Sequence, residues 1–349
     1  MRLGVTLGHV AGATPEEYAA VAREADRLGY AVAWAPEAYG VDSPTVLAWA
    51  AAHTERLDLG SAVMQIPART PAMTAMTAAT LDRLSGGRFR LGLGVSGPQV
   101  SEGWHGVRFD QPLPRTREYV DIVRLALSGR TVSYDGAHFT LPLPDGPGKA
   151  LKLAARPVRD RVPVYLAAVG PKNLELAGEV ADGWLAVFFS PRHAGDQLAH
   201  LDQGLARADR SRDGFDVSAT VPVVVGDDVA ACAEPVRAYA ALYVGGMGSR
   251  EQNFYHQLAR RMGYAEAADR VQELFLAKRH RQAMAAVPLD FVDETSLLGP
   301  RQRITERLHD FADAGVTTLT VSPFAPTLAA KLQQLRVVAE ALAASGFGA

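Results

Sequence analysis

A glycine-rich loop is the first part of this sequence whose residue types could do chemistry. Gly92–Gly97 fits the pattern G-x-G-x-x-G and follows an apolar run. In a dinucleotide-binding turn this pattern opens the first strand–helix unit and runs straight into a helix. Here it follows the fourth apolar run and meets Pro98, Gly103 and Gly106, so we expect no helix to start there. We interpret the glycines as lining a flat ring or a phosphate; the alternative is that they only shape a turn.

A second loop, Ala168–Asn173, lies where an apolar run ends and a helix begins. Amide groups at the start of a helix form a ready anion site, and a lysine is otherwise unfavourable there. Lys172 in the first turn therefore favours a bound phosphate or carboxylate. The alternative is that Lys172 simply faces solvent.

Three titratable side chains are candidates for proton transfer. Glu37 directly follows the second apolar run, where it could contact a substrate or cofactor, or pair with an arginine on the rim. His105 lies in the glycine-flanked loop Glu102–Gly106, and His9 follows the first apolar run. Imidazole titrates near neutral pH, so either histidine could exchange a proton, with a structural role as the alternative for both.

Repeated strand–loop–helix units must position these loops. Thr14 precedes Pro15 and is followed by Glu17, the pattern of a capped helix start, and similar punctuation recurs along the chain. The alternation predicts an α/β fold with parallel strands, either an open doubly wound sheet or a (β/α)8 TIM barrel with its site at the C-terminal strand ends. The count favours the barrel, with strands at 2–7, 31–36, 57–63, 88–95, 163–168, 183–188, 215–225 and 316–322.

Two stretches interrupt this rhythm. Residues 128–162 contain an Asp135-Gly136 turn between β-forming residues, which predicts a small hairpin outside the barrel. Residues 245–298 have a helical, charged pattern and are too long for a simple loop, so we interpret them as an insertion that helps to wall the site. Residues 1–349 are predicted to form a single domain.

The composition excludes several classes of function. The net charge is −2 with no basic stripe, so no nucleic-acid partner is expected. The sequence has no stretch of about 18 apolar residues, so no membrane partner is expected either. Cys232 is the single cysteine, which argues against the common zinc sites, so no metal is expected, and indicates a reducing cytoplasm. The sequence contains no motif of a zinc metalloprotease, a hydrolase nucleophile elbow or a P-loop.

Several segments together resemble those of a known family. They are Leu91–Val100 with Gly103–Gly106, Leu81–Phe89, Pro114–Tyr119, Thr131–Gly136, Gly170–Lys172, Ala177-Gly178 and Ala181–Gly183. On these segments the chain resembles the luciferase-like monooxygenase superfamily and, within it, the branch that uses coenzyme F420, a deazaflavin. The preference for F420 over FMN rests on Ser96–Gln99 and on Glu37–Gly40.

The resemblance implies a bacterial luciferase-like TIM barrel, a homodimer, and a cofactor ring lying against the third strand. Relatives have a non-prolyl cis peptide bond behind the ring, and the matching step here is Ala62-Val63. The loops Ser96–Val100 and Ala168–Asn173 would contact the ring edge and the phosphate. The cofactor-binding residues implied in this way are Glu37, Ala62, Val63, Val95, Ser96, Gly97, Pro98, Gln99, Val100, Ala168, Val169, Gly170, Pro171, Lys172 and Asn173.

The resemblance also implies the reaction. The deazaflavin would transfer a hydride between its C5 carbon and a small organic substrate, in either direction. Some relatives have Asp-His after the second strand, where the histidine helps catalysis. This chain has Glu37-Ala38, so His105 or His9 would have to replace that histidine, with Glu37 as a further candidate acid. The alternatives are an FMN-dependent monooxygenase of the same superfamily and a non-catalytic flavin-binding relative.

Overall fold

A closed barrel of parallel strands forms the centre of the computed structural model, which describes residues 1–8 and 12–347. The strands in this part of the chain are β1 Arg2–Thr6, β2 Val32–Ala35, β3 Asp58–Ser61, β4 Met64–Gln65, β5 Phe89–Gly94, β6 Tyr134–Asp135, β7 Thr140–Leu141, β8 Val164–Ala167, β9 Gly183–Val187, β10 Asp216–Val225, β11 Leu297–Gly299 and β12 Thr318–Pro323. The barrel order is β1, β2, β3, β5, β8, β9, β10, β12, and the ring closes because β12 pairs with both β10 and β1. The predicted TIM barrel is therefore confirmed, and the open sheet is excluded.

Each predicted strand overlaps one strand of this barrel. The prediction at 88–95 corresponds to β5, and the prediction at 215–225 corresponds to β10. The short strand β11 was not predicted, because it has only three residues and lies at the end of a helical stretch. It pairs with the last residues of β10, outside the barrel ring.

Helices connect the strands and cover the outside of the barrel. The Thr14 hydroxyl accepts the amide proton of Glu17, and the Thr70 hydroxyl accepts that of Met73, so both helix starts are capped as the sequence predicts. No helix in the described part of the chain is long and apolar enough to cross a membrane. The helices described are α1 Pro15–Arg27, α2 Ser43–Ala51, α3 Pro71–Leu84, α4 Pro98–Gly103, α5 Pro112–Leu127, α6 Pro171–Val180, α7 Ala194–Arg207, α8 Val229–Gly246, α9 Phe254–Arg261, α10 Ala265–Leu276, α11 His280–Ala285, α12 Leu289–Glu294, α13 Arg301–Asp313 and α14 Leu328–Ala344.

One expectation about the glycine-rich loop is wrong. A short helix, α4, begins at Pro98, although we expected no helix after Gly97. Proline is favourable at the first helical position because its missing amide proton has no partner there in any case. Gly97 provides the extended residue before it, with φ −139°. The helix ends at Gly103, after only six residues.

The two stretches that interrupt the strand–helix alternation, 128–162 and 245–298, contain a hairpin and helices, as predicted. Within 128–162, β6 pairs antiparallel with β7, and the Glu118 carboxylate accepts amide protons from Ala137, His138 and Phe139 in the turn between them. Within 245–298, the chain forms the four helices α9 to α12 before β11. The single-domain organisation of residues 1–349 stays a prediction.

An ion-pair network fills the N-terminal end of the barrel. Arg90 lies 3.1 Å from the Asp216 carboxylate and 2.7 Å from that of Asp58. The Tyr165 hydroxyl donates to Asp216 at 2.9 Å. Buried charges are tolerated only when paired and hydrogen-bonded, as they are here. This end of the barrel is therefore packed rather than open to a ligand.

Small residues line the inside of the barrel toward its C-terminal end. A Cβ added to Gly94 would lie 2.5 Å from Val63 Cγ2 and 3.7 Å from the Ala167 Cβ. Below them, the rings of Trp34 and Tyr165 meet edge to face with centroids 5.1 Å apart. A layer of aromatic rings therefore forms the floor, and small side chains leave the C-terminal end accessible.

One ion-pair cluster on the outside of the barrel predicts a pH effect. Glu24 in α1 accepts hydrogen bonds from Arg27 and from Arg336 in α14. The hydrogen bond from Arg27, with that from Arg336, lowers the pKa of Glu24 from 4.5 to about 2. Because the pKa is lower in the folded state, this contribution to stability is complete above the unfolded pKa and is lost as the pH falls through the folded pKa.

We therefore expect Glu24→Gln to destabilise the protein at pH 7 and to have progressively less effect in acid. Urea unfolding of the wild type and the variant between about pH 5 and about pH 2 measures this difference. A difference in unfolding free energy that stays constant over this range would show that the Glu24 ion pairs contribute nothing. Glu340→Gln is the control, because Glu340 pairs with Arg301 at the surface, where both side chains are exposed.

Candidate functional site

The candidate loops meet at one end of the barrel because the strands before them are neighbours. β2 pairs with β3, β3 with β5, and β5 with β8. The loops after these strands carry Glu37, the Ala62-Val63 step, His105 and the segments Ser96–Val100 and Ala168–Asn173. Parallel strands direct all of these loops to the C-terminal end of the barrel, which is where barrel active sites lie.

Glu37 forms an ion pair that the sequence left as an alternative. Its carboxylate accepts two hydrogen bonds from Arg69, at 2.8 and 2.7 Å, and one from the backbone amide of Gln65 at 3.1 Å. Arg69 also pairs with Asp42 at 2.6 Å. The hydrogen bonds to Glu37 raise the pKa of Arg69, so the guanidinium stays charged. Both oxygens of Glu37 are occupied, which favours the rim-arginine interpretation over a role as a general acid.

His105 is held in place by Gln65, a residue that the sequence analysis did not single out. The His105 Nε2 atom lies 2.8 Å from the Gln65 side-chain oxygen, and the Gln65 amide nitrogen donates to the Ser96 hydroxyl at 3.3 Å. An amide oxygen can only accept, so Nε2 of His105 carries the proton. This contact leaves Nδ1 as the nitrogen that could exchange a proton with a ligand. The other candidate histidine, His9, lies outside the described residues.

The Ala62-Val63 peptide bond is cis, as the resemblance predicts. It lies in the break between β3 and β4, where Ser61 links the third strand to β5. The Ser61 hydroxyl donates to the Gly92 carbonyl at 2.8 Å and lies 2.9 Å from the Gly92 amide nitrogen. The chain after the break pairs with β5 again, at Met64. Gly92 and the cis step therefore belong to one tightly packed part of the barrel wall.

The loop Ala168–Asn173 is anchored by its own backbone and side chains. The Ala168 carbonyl accepts the indole proton of Trp184 at 2.9 Å, and Asn173 donates to the Ala167 carbonyl at 3.2 Å. The Lys172 side chain is 77% exposed and pairs with Glu175 at 3.1 Å. The solvent-facing alternative therefore describes Lys172, and an anion at this loop would be held by backbone amides rather than by the Lys172 ammonium.

The loop after β5 is fixed by a contact to the helical insertion. Ser96 has a φ of 62°, in the left-handed region, which turns the chain out of the strand. The Gln99 side chain then donates to the Gly248 carbonyl at 2.8 Å. The segment that follows α8 therefore lies over Ser96–Val100. This position agrees with the interpretation of residues 245–298 as a wall of the site.

Two buried polar atoms inside the barrel test whether a ligand fits at this end. The Thr6 hydroxyl oxygen and the Trp34 indole nitrogen have no hydrogen-bond partner among the described residues. Burying a donor without a partner is costly unless a ligand or a water molecule satisfies it. Next to Gly97 and Gly170, an added Cβ would meet no atom within 4 Å. Open space and unused donors together fit a flat ligand with polar edges.

The comparison with known families agrees with this geometry. The luciferase-like monooxygenase family matches residues 1–318, which is most of the chain. The chain therefore belongs to the luciferase-like monooxygenase family, and its barrel is the luciferase-like TIM barrel. This family membership confirms the resemblance found in the sequence.

Individual relatives narrow the comparison. A Mycobacterium tuberculosis protein named "Putative coenzyme F420-dependent oxidoreductase Rv3520c" is 45% identical over 329 residues, 92% of this chain and 95% of that protein. The 5,10-methylenetetrahydromethanopterin reductase of Archaeoglobus fulgidus is 29% identical over 309 residues, 86% of this chain and 88% of the reductase. The solved structure of the coenzyme F420-dependent tetrahydromethanopterin reductase of Methanopyrus kandleri has a TM-score of 0.83 at 25% identity, with 97% of each chain covered.

Proposed function

We propose that this protein is a coenzyme F420-dependent oxidoreductase that transfers a hydride between the deazaflavin C5 and a small organic molecule. The observation that carries the proposal is the site at the C-terminal end of the barrel, where Trp34, with its unused indole donor, packs with Ala62 and Val63, and the loops at Gly97 and Gly170 leave open space. The relative named for F420 dependence supports the choice of cofactor, since it covers 92% of this chain.

The residues present fit the deazaflavin in a defined way. Ala62 and Val63 would lie behind the ring, Val95 and Ser96–Val100 along its edge, and Ala168–Asn173 at the phosphate. When bound, the deazaflavin supplies a two-electron hydride at one carbon of its ring. The barrel itself contributes orientation, because its aromatic floor and the two anchored loops would hold the hydride donor and the hydride acceptor in a fixed arrangement.

Among the three candidates for proton transfer found in the sequence, His105 is the one that we assign to proton exchange. Gln65 holds its Nε2–H, which fixes the ring and leaves Nδ1 available. Gln65 is also connected to Glu37, because the backbone N–H of Gln65 donates to the Glu37 carboxylate at 3.1 Å. Of these four residues, Arg69, Glu37 and Gln65 are therefore positioning residues, and His105 is the one with a ring nitrogen left to exchange a proton.

Binding of the three common hydride and flavin cofactors tests the proposal directly. We expect the purified protein to bind coenzyme F420 with a dissociation constant on the order of micromolar, and FMN and NADPH much more weakly, in separate titrations followed by fluorescence quenching. A competition titration with riboflavin is the control for non-specific binding of flat rings.

One outcome would contradict the choice of cofactor, and another would contradict the enzymatic activity. Tight FMN binding with no response to F420 would favour the FMN-dependent monooxygenase, the alternative within the same family. Oxygen consumption would then be measured. Tight F420 binding without turnover of any substrate would favour the non-catalytic relative. The homodimer, the cytoplasmic location and the absence of nucleic-acid and membrane partners stay predictions.

A further inference from the structure

Three tyrosines on the helices after β10 surround one phenylalanine. Tyr239 and Tyr243 lie in α8, and Tyr255 lies in α9. Their ring centroids lie 5.2, 5.6 and 6.1 Å from that of Phe188. We call these three tyrosines the tyrosine wall. Nothing in the sequence analysis singled them out.

The tyrosine wall stands over the C-terminal end of the barrel. Phe188 is the first residue after β9, and Phe324, whose ring centroid lies 5.6 Å from that of Tyr239, is the first residue after β12. The wall therefore covers the part of the barrel mouth formed by β9, β10 and β12, opposite β2 and β3 and next to the cofactor loop that follows β8.

A buried asparagine fixes the wall in position. The Asn253 side-chain amide donates to the carbonyl oxygens of Tyr243 at 3.0 Å and Val244 at 2.9 Å. Its side-chain oxygen accepts the amide protons of Tyr255 at 2.9 Å and His256 at 3.0 Å, as an N-cap of α9. One side chain therefore joins the end of α8 to the start of α9. Gly248, between the two helices, is in turn held by Gln99.

The hydroxyl groups of the wall act as donors. The rings of Tyr239 and Tyr243 lie next to each other, with centroids 4.6 Å apart, and both residues are half-buried, so the phenol of Tyr243 can donate to a ligand. Burial raises the pKa of Tyr239 well above its ordinary value, and it also raises the pKa of Tyr243 and of Tyr255. All three therefore stay protonated at neutral pH. The rings around them are apolar, so the wall itself presents aromatic faces and phenol protons but no formal charge.

We propose that the substrate is an uncharged, conjugated or aromatic carbonyl compound that stacks against the tyrosine wall, with its carbonyl oxygen accepting the proton of Tyr243. This inference rests on the proposed function for its redox partner. Aromatic faces bind flat conjugated molecules, and a buried phenol donor recognises an acceptor oxygen. An anionic substrate would meet no countercharge from these tyrosines.

The reductive step balances with the groups named. A C–H bond forms at the carbonyl carbon with the hydride supplied by reduced deazaflavin, which is oxidised by two electrons. The C=O π bond breaks, its electron pair moves onto the oxygen, and an O–H bond forms with the proton of Tyr243. The phenolate left on Tyr243 regains a proton from the Tyr239 hydroxyl or from water. An alkoxide is more basic than a phenolate, so the proton moves in this direction.

The experiment uses a coloured carbonyl compound and the full chain without cofactor. The absorption band of 4-(dimethylamino)benzaldehyde moves to longer wavelength when its carbonyl accepts a hydrogen bond. We expect this shift on binding to the wild type, and we expect Tyr243→Phe to abolish the shift and to weaken binding about tenfold, as the loss of one buried hydrogen bond does. N,N-Dimethyl-p-toluidine, which lacks the carbonyl, should bind both proteins equally.

Matched variants keep the result interpretable. Tyr264→Phe is the control, because it also removes one phenol, and the Tyr264 ring packs on Phe291 outside the wall, with centroids 5.4 Å apart. Thermal melting shows whether each variant is folded. If Tyr243→Phe does not fold, Tyr239→Phe is measured in its place, and we expect a smaller shift than in the wild type, because this variant removes the phenol next to Tyr243. A shift that persists in Tyr243→Phe, or no binding of the aldehyde to the wild type, would overturn the inference.

The same experiment separates this inference from the proposed function. Tyr243→Phe removes one hydroxyl and keeps the ring, so we expect F420 binding to be retained while the aldehyde shift is lost. Failure of the wild type to bind F420, with the aldehyde shift intact, would reject the cofactor and leave the wall as a carbonyl site. Normal F420 binding without an aldehyde shift would reject the wall alone.

Discussion

Arg69→Met is expected to lower the free energy of unfolding by about 3–5 kcal/mol. The Glu37 carboxylate is buried and receives two of its three hydrogen bonds from Arg69. Removing the guanidinium leaves a buried charge with one remaining donor, which is the costly way to break an ion pair. Methionine fills a similar volume, so the loss reports on the charge rather than on a cavity. Chemical unfolding of wild type and variant measures it.

The double variant Glu37→Gln with Arg69→Met is the control for this prediction. It removes both charges and should recover about half or more of the lost stability, since no unpaired carboxylate remains. A loss below about 1 kcal/mol in Arg69→Met would mean that the pair behaves as an exposed salt bridge. Glu37 would then be free for the proton-transfer role that its position in the sequence allowed.

Gly92→Ala is expected to destabilise the protein by about 3 kcal/mol or more, and soluble yield should fall with it. An added Cβ would overlap the Ser61 carbonyl oxygen and lie 2.8 Å from Leu185 Cδ1. The first of these atoms is backbone in the wall that carries the cis step, so it cannot move aside as a flexible side chain would. Urea unfolding and the yield of soluble protein measure the effect.

Gly97→Ala is the matched control in the same glycine-rich motif. An added Cβ there would meet no atom within 4 Å, and the φ of −139° suits any residue. We expect its stability to stay within about 0.5 kcal/mol of the wild type, while affinity for F420 falls because the methyl group enters the ligand's space. Unchanged F420 affinity would show that this glycine only shapes the turn. A stability loss equal to that of Gly92→Ala would contradict the packing explanation for both.

Local patterns predicted the elements of this fold well, because the signals that mark them are local. An apolar run identifies a strand, and Thr14-Pro15 identifies a helix start through a hydrogen bond that spans three residues. Those signals located all eight barrel strands and therefore the end of the barrel where the loops meet. The prediction failed at Pro98: the nearby glycines indicated a turn, but the preference of proline for the first helical position prevailed and a short helix forms.

The sequence by itself therefore determined the barrel, the family and the loops that form the site. Only the tertiary structure decided what each side chain does there. Arg69 pairs with Glu37 across 32 residues, Gln65 holds His105 across 40, and Gln99 reaches the Gly248 carbonyl across 149. The tyrosine wall likewise forms only when α8 and α9 fold over the barrel. The reason is that the partner of a side chain depends on how distant segments pack, and periodicity and caps carry no information about that packing.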